Sequence, residues 1–358
     1  MNTYLKILYC IEKHLAADLS AAGSHSWHTV SGGVEYLPVA YTPAWLSYQS
    51  AYMRSTTSAF DAADLVIQHD KRPVGIWSLS VTKADQGCRI GTAEGFVRPP
   101  VFDRRVTRNI RKRIIENCMA VLDALAGELN LTQWQGTQSP RDQGLDLWHR
   151  TVVERSAQCR VGHELYVDLS LDVEMIRGNF RKSYRPLIHK GQKLWKTCTY
   201  VKEVPSDTFS EFRELHRKVA GRVTRPIETW NIQEQAIRSG EAFLVTLRNS
   251  DDEMVGGGLF HVSKDEGAYA IGAYDRNLFD LPLGHVVQMA AIEQMKQLGL
   301  RWYFLGNRSY PGDIRPPTDK ELSISHFKEG FATHLFAQFQ TLVPVDLALA
   351  PEPAARDD

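Results

Sequence analysis

The sequence lacks both the long hydrophobic runs and the excess of charge that mark several protein classes. No apolar run reaches the roughly eighteen residues that suggest a membrane-spanning helix. The N-terminal segment has a short, charge-interrupted apolar patch and no small-residue cleavage site, so we interpret it as mature protein rather than a signal peptide. Lysine plus arginine equals aspartate plus glutamate, at 42 each, so overall charge predicts no affinity for DNA or a membrane surface and confines any anion site to a local patch.

Cysteine pairs and metal-ligand patterns are also missing. The five cysteines are dispersed and include no Cys-x-x-Cys pair, which fits a reducing cytoplasm and argues against a disulfide framework or a zinc site. Nothing like His-Glu-x-x-His occurs, so we expect no metal and no bound cofactor. There is no Gly-x-Gly-x-x-Gly, and the glycine run of Val255–Leu259 lies within a predicted strand, which excludes a dinucleotide-binding turn.

The sequence repeats one order of predicted elements: a strand, a β-hairpin, an amphipathic helix and a further strand. In the first copy these are predicted at Asp64–Gln68, Val74–Lys83, Cys88–Ala93, Arg108–Leu129 and Leu131–Gly136. In the second copy they are predicted at Ala242–Leu247, Val255–Lys264, Tyr269–Ala273, Leu283–Leu298 and Leu300–Gly306. Each strand–helix–strand step needs a parallel pairing with a right-handed crossover.

The duplication predicts an α/β protein with two tandem units, each with a mixed sheet. We expect an N-terminal domain over residues 1–172 and a C-terminal domain over 173–347, because a predicted strand ends at Leu169 and a new helical segment follows. Residues 348–358 are rich in alanine, proline and aspartate and are expected to be a disordered tail.

Two short motifs go with the duplication: Arg181-Lys182-Ser183-Tyr184-Arg185 between the copies, and Phe327-Lys328-Glu329-Gly330-Phe331 near the end. With these, residues 35–343 resemble the FemAB-type peptidyltransferases of the GNAT N-acyltransferase superfamily. The resemblance implies two tandem GNAT-like domains and transfer of an acyl group to an amine. In peptidoglycan-building members the donor is an aminoacyl-tRNA and the acceptor a nucleotide-linked or lipid-linked muropeptide, whereas other GNAT proteins use acyl-CoA.

The sequence departs from the family pattern in two places. There is no room for the long helical hairpin arm of some Fem proteins. The pyrophosphate loop that precedes a helix in GNAT proteins keeps one glycine in Arg276–His285 and none in Arg98–Arg105. We therefore do not expect the first unit to bind CoA, and for the second the donor stays open between acyl-CoA and aminoacyl-tRNA, with tRNA as a candidate partner.

The catalytic candidates follow from what acyl transfer to an amine requires, namely a polarised carbonyl and an amine that loses a proton. Lys328, between two phenylalanines, is matched to the family's donor-site lysine and could reach a phosphate or an oxyanion; the alternative is an ordinary surface lysine. Tyr274 could orient the acceptor, and Asp275 and Glu94 are candidate bases. For both carboxylates the alternative, plain turn or strand-end chemistry, is somewhat favoured.

Donor contacts are predicted where the second copy's helix begins. Gly284 would let an anion approach the backbone N–H groups of the helix start, beside His285. Arg276, in the preceding loop, and Asn307, after the last strand of the copy, complete the predicted donor-binding set. The alternative is a plain helix start with His285 facing solvent.

Acceptor contacts are predicted at arginines whose planar groups match phosphates. Arg222 and Arg225 follow Gly221, which is expected to end a helix that begins near Ser206. The remaining acceptor candidates are Arg98, Arg181, Lys182 and Tyr184. The last three belong to a basic segment, Arg181–Lys196, expected to be a helix broken by Pro186; together with the basic run Arg104–Arg113 it could line a phosphate track, or both could be solvated surfaces.

We therefore expect an N-acyltransferase acting on a small-molecule or nucleotide-linked acceptor of the cell envelope, such as a muropeptide or an amino sugar of a surface polysaccharide. The alternative is a non-catalytic binding protein that retains the GNAT fold; the weakened pyrophosphate loop favours it, and the retained Lys328, Tyr274 and arginines oppose it.

Overall fold

The computed structural model describes residues 2–19, 22–84, 87–92, 95–139, 146–155, 157–313 and 316–345. The helices are α1 (Thr3–His14), α2 (His25–Gly33), α3 (Pro43–Thr56), α4 (Arg108–Glu128), α5 (Leu147–Glu154), α6 (Val173–Asn179), α7 (Tyr184–Leu194), α8 (Ser206–Ala220), α9 (Ile227–Ser239), α10 (Leu283–Gln297) and α11 (Asp319–Glu329). Short 3₁₀ turns occur at Val39–Tyr41 and Arg276–Leu278.

The strands are β1 (Ala17–Leu19), β2 (Ala59–His69), β3 (Arg72–Ala84), β4 (Gly87–Ile90), β5 (Val101–Phe102), β6 (Gln133–Gln138), β7 (Gln158–Asp168), β8 (Lys196–Val201), β9 (Ala242–Arg248), β10 (Met254–Val262), β11 (Glu266–Tyr274), β12 (Trp302–Asn307) and β13 (His334–Pro344). Among the helices that the structure describes, none is both long and apolar enough to cross a bilayer.

The chain divides into two compact units, each assembled from separate segments. The first takes its described residues from 1–35, 53–161 and 338–358, and the second from 36–52 and 162–337. This division differs from the expected domains 1–172 and 173–347. Hydrogen bonds between residues distant in sequence connect the separate segments within each unit. Residues 339–344 of β13 pair with β6, and the N–H groups of Leu37 and Val39 bond to the carboxylates of Asp265 and Glu266. The expected tail, 348–358, lies outside the described residues.

The first unit is built on the sheet β1-β2-β3-β4, with β5 also paired to β3. Helices α1 and α4 supply the opposite side of its core, where Cys10 and Cys118 are fully buried with Trp77. The apolar positions of α4 recur every three to four residues, so one face of the helix covers the sheet. Strand β6 meets the preceding segment through a single parallel bridge, Val97 with Gly136.

The second unit contains six strands in the order β7-β12-β11-β10-β9-β8. All neighbours in it run antiparallel except β11 and β12, which are parallel. One face of the sheet packs on α6, α7 and α10, and the other on α8 and α9. Both faces are therefore covered, which explains why every residue of β10 is buried.

The glycine run in β10 has a packing role. A Cβ on Gly258 would lie 2.8 Å from Cγ1 of Val287 in α10, closer than ordinary contacts allow. The missing side chain therefore lets α10 approach the sheet, and this helix begins beside the end of β11. The glycines of this strand therefore allow α10 to pack close to the sheet and do not form a phosphate-binding loop.

The duplicated order of elements is present in the two units. Strands β2, β3 and β4, helix α4 and strand β6 form the first copy, and β9, β10, β11, α10 and β12 form the second. The prediction that Gly221 ends α8 is also confirmed, since its φ of 71° is left-handed. The expected break at Pro186 is wrong: α7 runs through it, because Pro186 lies in the first turn, where a backbone N–H would have no intrahelical acceptor.

Candidate active site

Two strands of the second unit separate where several predicted residues lie. Among the described residues, β11 and β12 pair only over Glu266–Ala268 and Trp302–Phe304. Beyond this register β11 continues to Tyr274, while β12 shifts register against β7 between Phe304 and Gly306. The backbone N–H groups on this side of β11 are not engaged by β12, and such groups can bind a carbonyl oxygen or a developing oxyanion.

A β-bulge brings two tyrosines to the same face of β11. Leu259 of β10 pairs with Ile271 and Phe260 pairs with Tyr269, so Ala270 is the extra residue. The bulge reverses the strand's alternation, and the Tyr269 and Tyr274 hydroxyls lie 3.0 Å apart. Burial raises the pKa of Tyr269 to about 12 and that of Tyr274 well above its ordinary value of 10. Both phenols are therefore protonated at neutral pH, and the pair can donate a proton.

Lys328 lies at the end of α11 and extends into this opening. Its Nζ is 5.3 Å from the ring centre of Tyr269, and a Cβ on Gly306 would lie 2.6 Å from the same Nζ. Gly306 has a φ of 124°, so both its backbone and the lysine above it require glycine there. Burial lowers the pKa of Lys328 from 10.5 to about 8. Within the described part of the chain no hydrogen bond or ion pair holds this ammonium, which leaves it available to an anion.

The start of α10 borders the same opening. Its N-cap, Pro282, provides no side-chain hydrogen bond to the first N–H groups of the helix. A Cβ on Gly284 would lie 3.0 Å from Cζ of Phe327 and 3.6 Å from Cζ of Tyr274. The helix start, Tyr274 and the residue before Lys328 are thus neighbours, and the positive end of the helix dipole points to where an anion could bind.

His285 is packed rather than solvated. Its ring meets the edge of Tyr184 at 4.5 Å and of Phe327 at 5.1 Å between centroids. Burial, followed by the charge of Arg181, lowers the pKa of His285 to about 4. The imidazole is therefore neutral at pH 7, so it would contribute to a donor site through shape and hydrogen bonding rather than through charge.

Asp275 has the contacts of a turn residue. Its carboxylate accepts the N–H of Asn277 at 3.0 Å and lies 3.6 Å from Nζ of Lys218. These contacts favour the turn interpretation over a free base. Of the other predicted donor contacts, Arg276 is exposed in the 3₁₀ turn, and Asn307 is exposed at the end of β12.

The predicted arginines lie at a different place in the second unit, a pocket of about 190 Å³ between α8 and α9. Arg222 is exposed on its rim, whereas Arg225 is fixed: its Nε donates to the Tyr48 hydroxyl at 3.0 Å and its Nη1 lies 3.1 Å from Nε2 of His216. Burial, then the charge of Arg225, lowers the pKa of His216 to about 4, so this histidine is a neutral acceptor. The pocket's floor includes the ring of Trp230.

Arg181 and Tyr184, predicted as acceptor contacts, bond to the end of α11. The Tyr184 hydroxyl donates to the Phe327 carbonyl at 3.1 Å, and Nη2 of Arg181 donates to the His326 carbonyl at 2.9 Å. Lys182, between them, is exposed. The structure therefore places these two residues beside Lys328 rather than at the arginine pocket.

The first unit holds the last two predicted residues. Arg98 is partly exposed, and its carbonyl accepts the Trp77 indole N–H at 2.9 Å. Glu94 lies outside the described residues. Where the structure describes the chain, no group of three or more His, Cys, Asp or Glu side chains could hold a metal ion.

Sequence reasoning missed several residues of these sites. Tyr269 is five positions before Tyr274, an odd spacing that places two residues on opposite faces of a regular strand, so only the bulge could reveal the pair. The partners of Arg225, Tyr48 and His216, could not be found from spacing because Tyr48 is distant in sequence. Gly306 had a usable signal, since a glycine ending a strand often marks a close approach.

Comparisons with known proteins agree with this fold. Residues 178–313 match the acetyltransferase (GNAT) domain family. The crystal structure of FemX superposes with a TM-score of 0.63 at 12% identity, covering 87% of this chain and 93% of FemX. L-PGS from Bacillus licheniformis gives 0.53 at 11% identity, covering 80% and 85%. A conserved protein of unknown function from Bacteroides thetaiotaomicron gives 0.55 at 8% identity, covering 96% and 98%.

No curated protein matches the sequence. At these identities the structural likeness concerns the fold, and the residues of the domain match include β11, α10 and β12, which border the opening described above. The predicted FemAB-like fold is confirmed by the likeness to FemX, and the acetyltransferase (GNAT) domain match covers residues 178–313.

Proposed function

We propose that this protein is an N-acyltransferase that moves an acyl or aminoacyl group from acyl-CoA or aminoacyl-tRNA to an amine of a cell-envelope precursor. The observation that carries the proposal is the position of Lys328. A partly buried ammonium without an acidic partner among the described residues lies between the separated ends of β11 and β12, next to two protonated tyrosines.

The chemistry follows from these groups. The acceptor nitrogen attacks the donor carbonyl, a C–N bond forms, and the C–S bond of a thioester or the C–O bond of an aminoacyl ester breaks. Charge that develops on the carbonyl oxygen is stabilised by Lys328 and by N–H groups of β11. Tyr274, linked to Tyr269, donates a proton to the departing sulfur or oxygen, and the proton of the attacking amine leaves to water.

The donor's phosphates are proposed to bind at the start of α10, where no side chain caps the helix. Both candidate donors carry phosphate, at the end of the pantetheine arm in acyl-CoA and on the terminal nucleotide in aminoacyl-tRNA, so a phosphate site at this helix start fits either. His285 is neutral and packed among aromatic rings, so it would contribute no charge to phosphate binding there.

The acceptor is proposed to carry a phosphate or diphosphate that enters the pocket between α8 and α9. Arg225 is held in place before any ligand arrives, so binding there would lose little side-chain entropy. The Thr224 hydroxyl is buried and has no hydrogen-bond partner in the described structure, which leaves it free for a phosphate oxygen. A nucleotide-linked muropeptide or amino sugar has this chemistry.

The test is direct. The protein is incubated separately with acyl-CoA and with charged tRNA, thermal protection is measured, and transfer to nucleotide-linked amines is then assayed with the donor that protects. Protection by one donor with transfer supports the proposal and selects the donor. Protection without transfer to any amine favours the alternative, a non-catalytic binding protein with a GNAT fold, and absence of protection by either donor contradicts the donor site.

A further inference from the structure

The basic segment at Arg181–Tyr184 has a structural use that its charge alone does not suggest. Three backbone carbonyls at the C-terminal end of α11 are bonded by two residues of this segment. Arg181 donates its side chain to the His326 carbonyl at 2.9 Å and its backbone N–H to the Gly330 carbonyl at 2.8 Å. Tyr184 donates its hydroxyl to the Phe327 carbonyl at 3.1 Å.

These bonds match what a helix end needs. The last carbonyls of an α-helix have no intrahelical donor and carry the negative end of the dipole, so a guanidinium there is favourable. The two donors also support each other, because Nη1 of Arg181 lies 3.2 Å from the Tyr184 hydroxyl and its guanidinium lies 5.1 Å from the ring centre. Tyr184 is 5% exposed, so its ring is fixed by packing.

The bonded carbonyls surround one residue, Lys328, which comes directly after Phe327. The other side of the same turn is held by an ion pair, in which Nε of Arg308 lies 3.0 Å from a carboxylate oxygen of Glu329. The ring of Tyr184 also packs against His285 at the start of α10. Tyr184 therefore contacts both the helix that carries Lys328 and the proposed phosphate site.

The geometry points to Arg181 and Tyr184 as positioning residues that clamp the end of α11 and thereby aim Lys328 into the β11–β12 opening, rather than as contacts for the acceptor. This inference rests on the proposed role of Lys328. Rigid placement matters because a shift of about 1 Å in a catalytic group can lower a rate by up to about a hundredfold.

Tyr184→Phe is the sharpest test, since it removes only the hydroxyl, with its bonds to the Phe327 carbonyl and from Arg181, and changes neither charge nor ring packing. We expect kcat to fall about tenfold with the acceptor KM unchanged. Arg181→Ala should have a larger effect, and Arg181→Lys, which can still donate to one carbonyl, should recover part of it. Lys320→Ala is the matched control: it removes an exposed charge from the first turn of the same helix, α11, and should change kcat less than twofold.

A second measurement follows Lys328 directly. Reductive ¹³C-methylation and NMR titration give the pKa of this lysine in the parent and in Tyr184→Phe, with Lys328→Met used to assign the signal. A loosened helix end exposes the ammonium to water, so its pKa should rise toward 10.5 in Tyr184→Phe and not in Lys320→Ala. The other titratable and charged groups around this end of α11 are Arg181, Tyr269, Tyr274, His285, Arg308, His326 and Glu329, and all of them are retained in both variants.

The outcomes distinguish the positioning role of Arg181 and Tyr184 from the proposed function of Lys328. A raised acceptor KM with unchanged kcat in Tyr184→Phe, or an unchanged Lys328 pKa, overturns the clamp and returns the segment to ligand binding. Full activity in Lys328→Met contradicts the proposed function instead, and the NMR titration still decides whether Tyr184 positions the lysine.

Discussion

The two units repeat one order of elements and differ at the step from the third strand to the helix. In the second unit β11 has nine residues, carries a bulge and ends at Tyr274, whose ring lies beside Gly284 at the start of α10. In the first unit β4 has four residues, and a carboxylate in the segment before α4 is bonded within that segment. Asp103 is buried there and accepts both the backbone N–H of Arg105 at 2.8 Å and its Nε at 2.9 Å.

The basic run of the first unit, Arg104–Arg113, is likewise bonded to groups of its own unit. Arg111 donates to the carbonyls of Val106 and Asp103, Lys112 lies 3.9 Å from Glu116, and Arg113 contacts His69. These cations are engaged within the unit, so they are less available to a phosphate than the sequence suggested. A run of like charges indicates an anion site only if the folded protein leaves those charges without hydrogen-bond or ion-pair partners.

The largest expected effect is on kcat, and it tests whether only the second unit carries catalytic residues. Lys328→Met should lower kcat by about a hundred- to a thousandfold, because it removes a charge positioned for the oxyanion. Lys112→Met, on the first unit's helix, should leave transfer unchanged. Steady-state kinetics on the two variants makes the comparison, and equal losses in both would contradict it.

The pH dependence gives a second test of the same lysine. If protonated Lys328 is required, activity should fall as pH rises through about 8, and Lys328→Met should lose this limb. The folded pKa is below the unfolded value near 10.5, so burial of the charge destabilises the fold fully below pH 8, and the penalty disappears between pH 8 and 10.5. Denaturant unfolding should therefore find Lys328→Met more stable than the parent at pH 7, with the difference shrinking as the pH rises from about 8 to 10.5.

The arginine pocket of the second unit should affect binding rather than rate. Arg222→Ala together with Arg225→Ala should raise the acceptor KM about tenfold and weaken its salt dependence, because two phosphate contacts are lost. KM measured at several salt concentrations checks this. A parent KM that does not change with salt would argue against an anionic acceptor, and Arg213→Ala, at another, half-buried arginine of the pocket lining, shows how much charge alone contributes.

The smallest effect should come from the first unit and be one of stability. Asp103→Asn should lower the free energy of unfolding by about 1–3 kcal/mol, because a buried charged hydrogen bond is lost, and leave kcat unchanged. The hydrogen bond from Arg105, the largest influence, lowers the pKa of Asp103, so its stabilisation is present at neutral pH and is lost as pH falls through that lowered value. Urea unfolding at pH 7 and at lower pH measures both.

Local pattern was enough to predict most of the fold. The hairpins, α4, α10 and the order of elements follow from alternation and helical periodicity, which depend on near neighbours in sequence. The division into units was not predictable in the same way, since β13 joins β6 through pairing between distant residues. Pro186 shows the same limit at small scale: the residue type predicts a break, and its position in the first turn removes the reason for one.

For the site, the sequence by itself determined which groups are present: Lys328 between aromatic residues, a tyrosine ending a strand, one glycine at a helix start and several arginines. Only the tertiary structure decided what each of them meets. A bulge turned Tyr269 toward Tyr274, Asp275 was taken up by its turn and Lys218, and Arg181 and Tyr184 were directed to helix α11. The physical reason is that residue type fixes a side chain's charge and hydrogen-bonding capacity, whereas its partner and its pKa depend on burial and on groups that the chain brings near only when it folds.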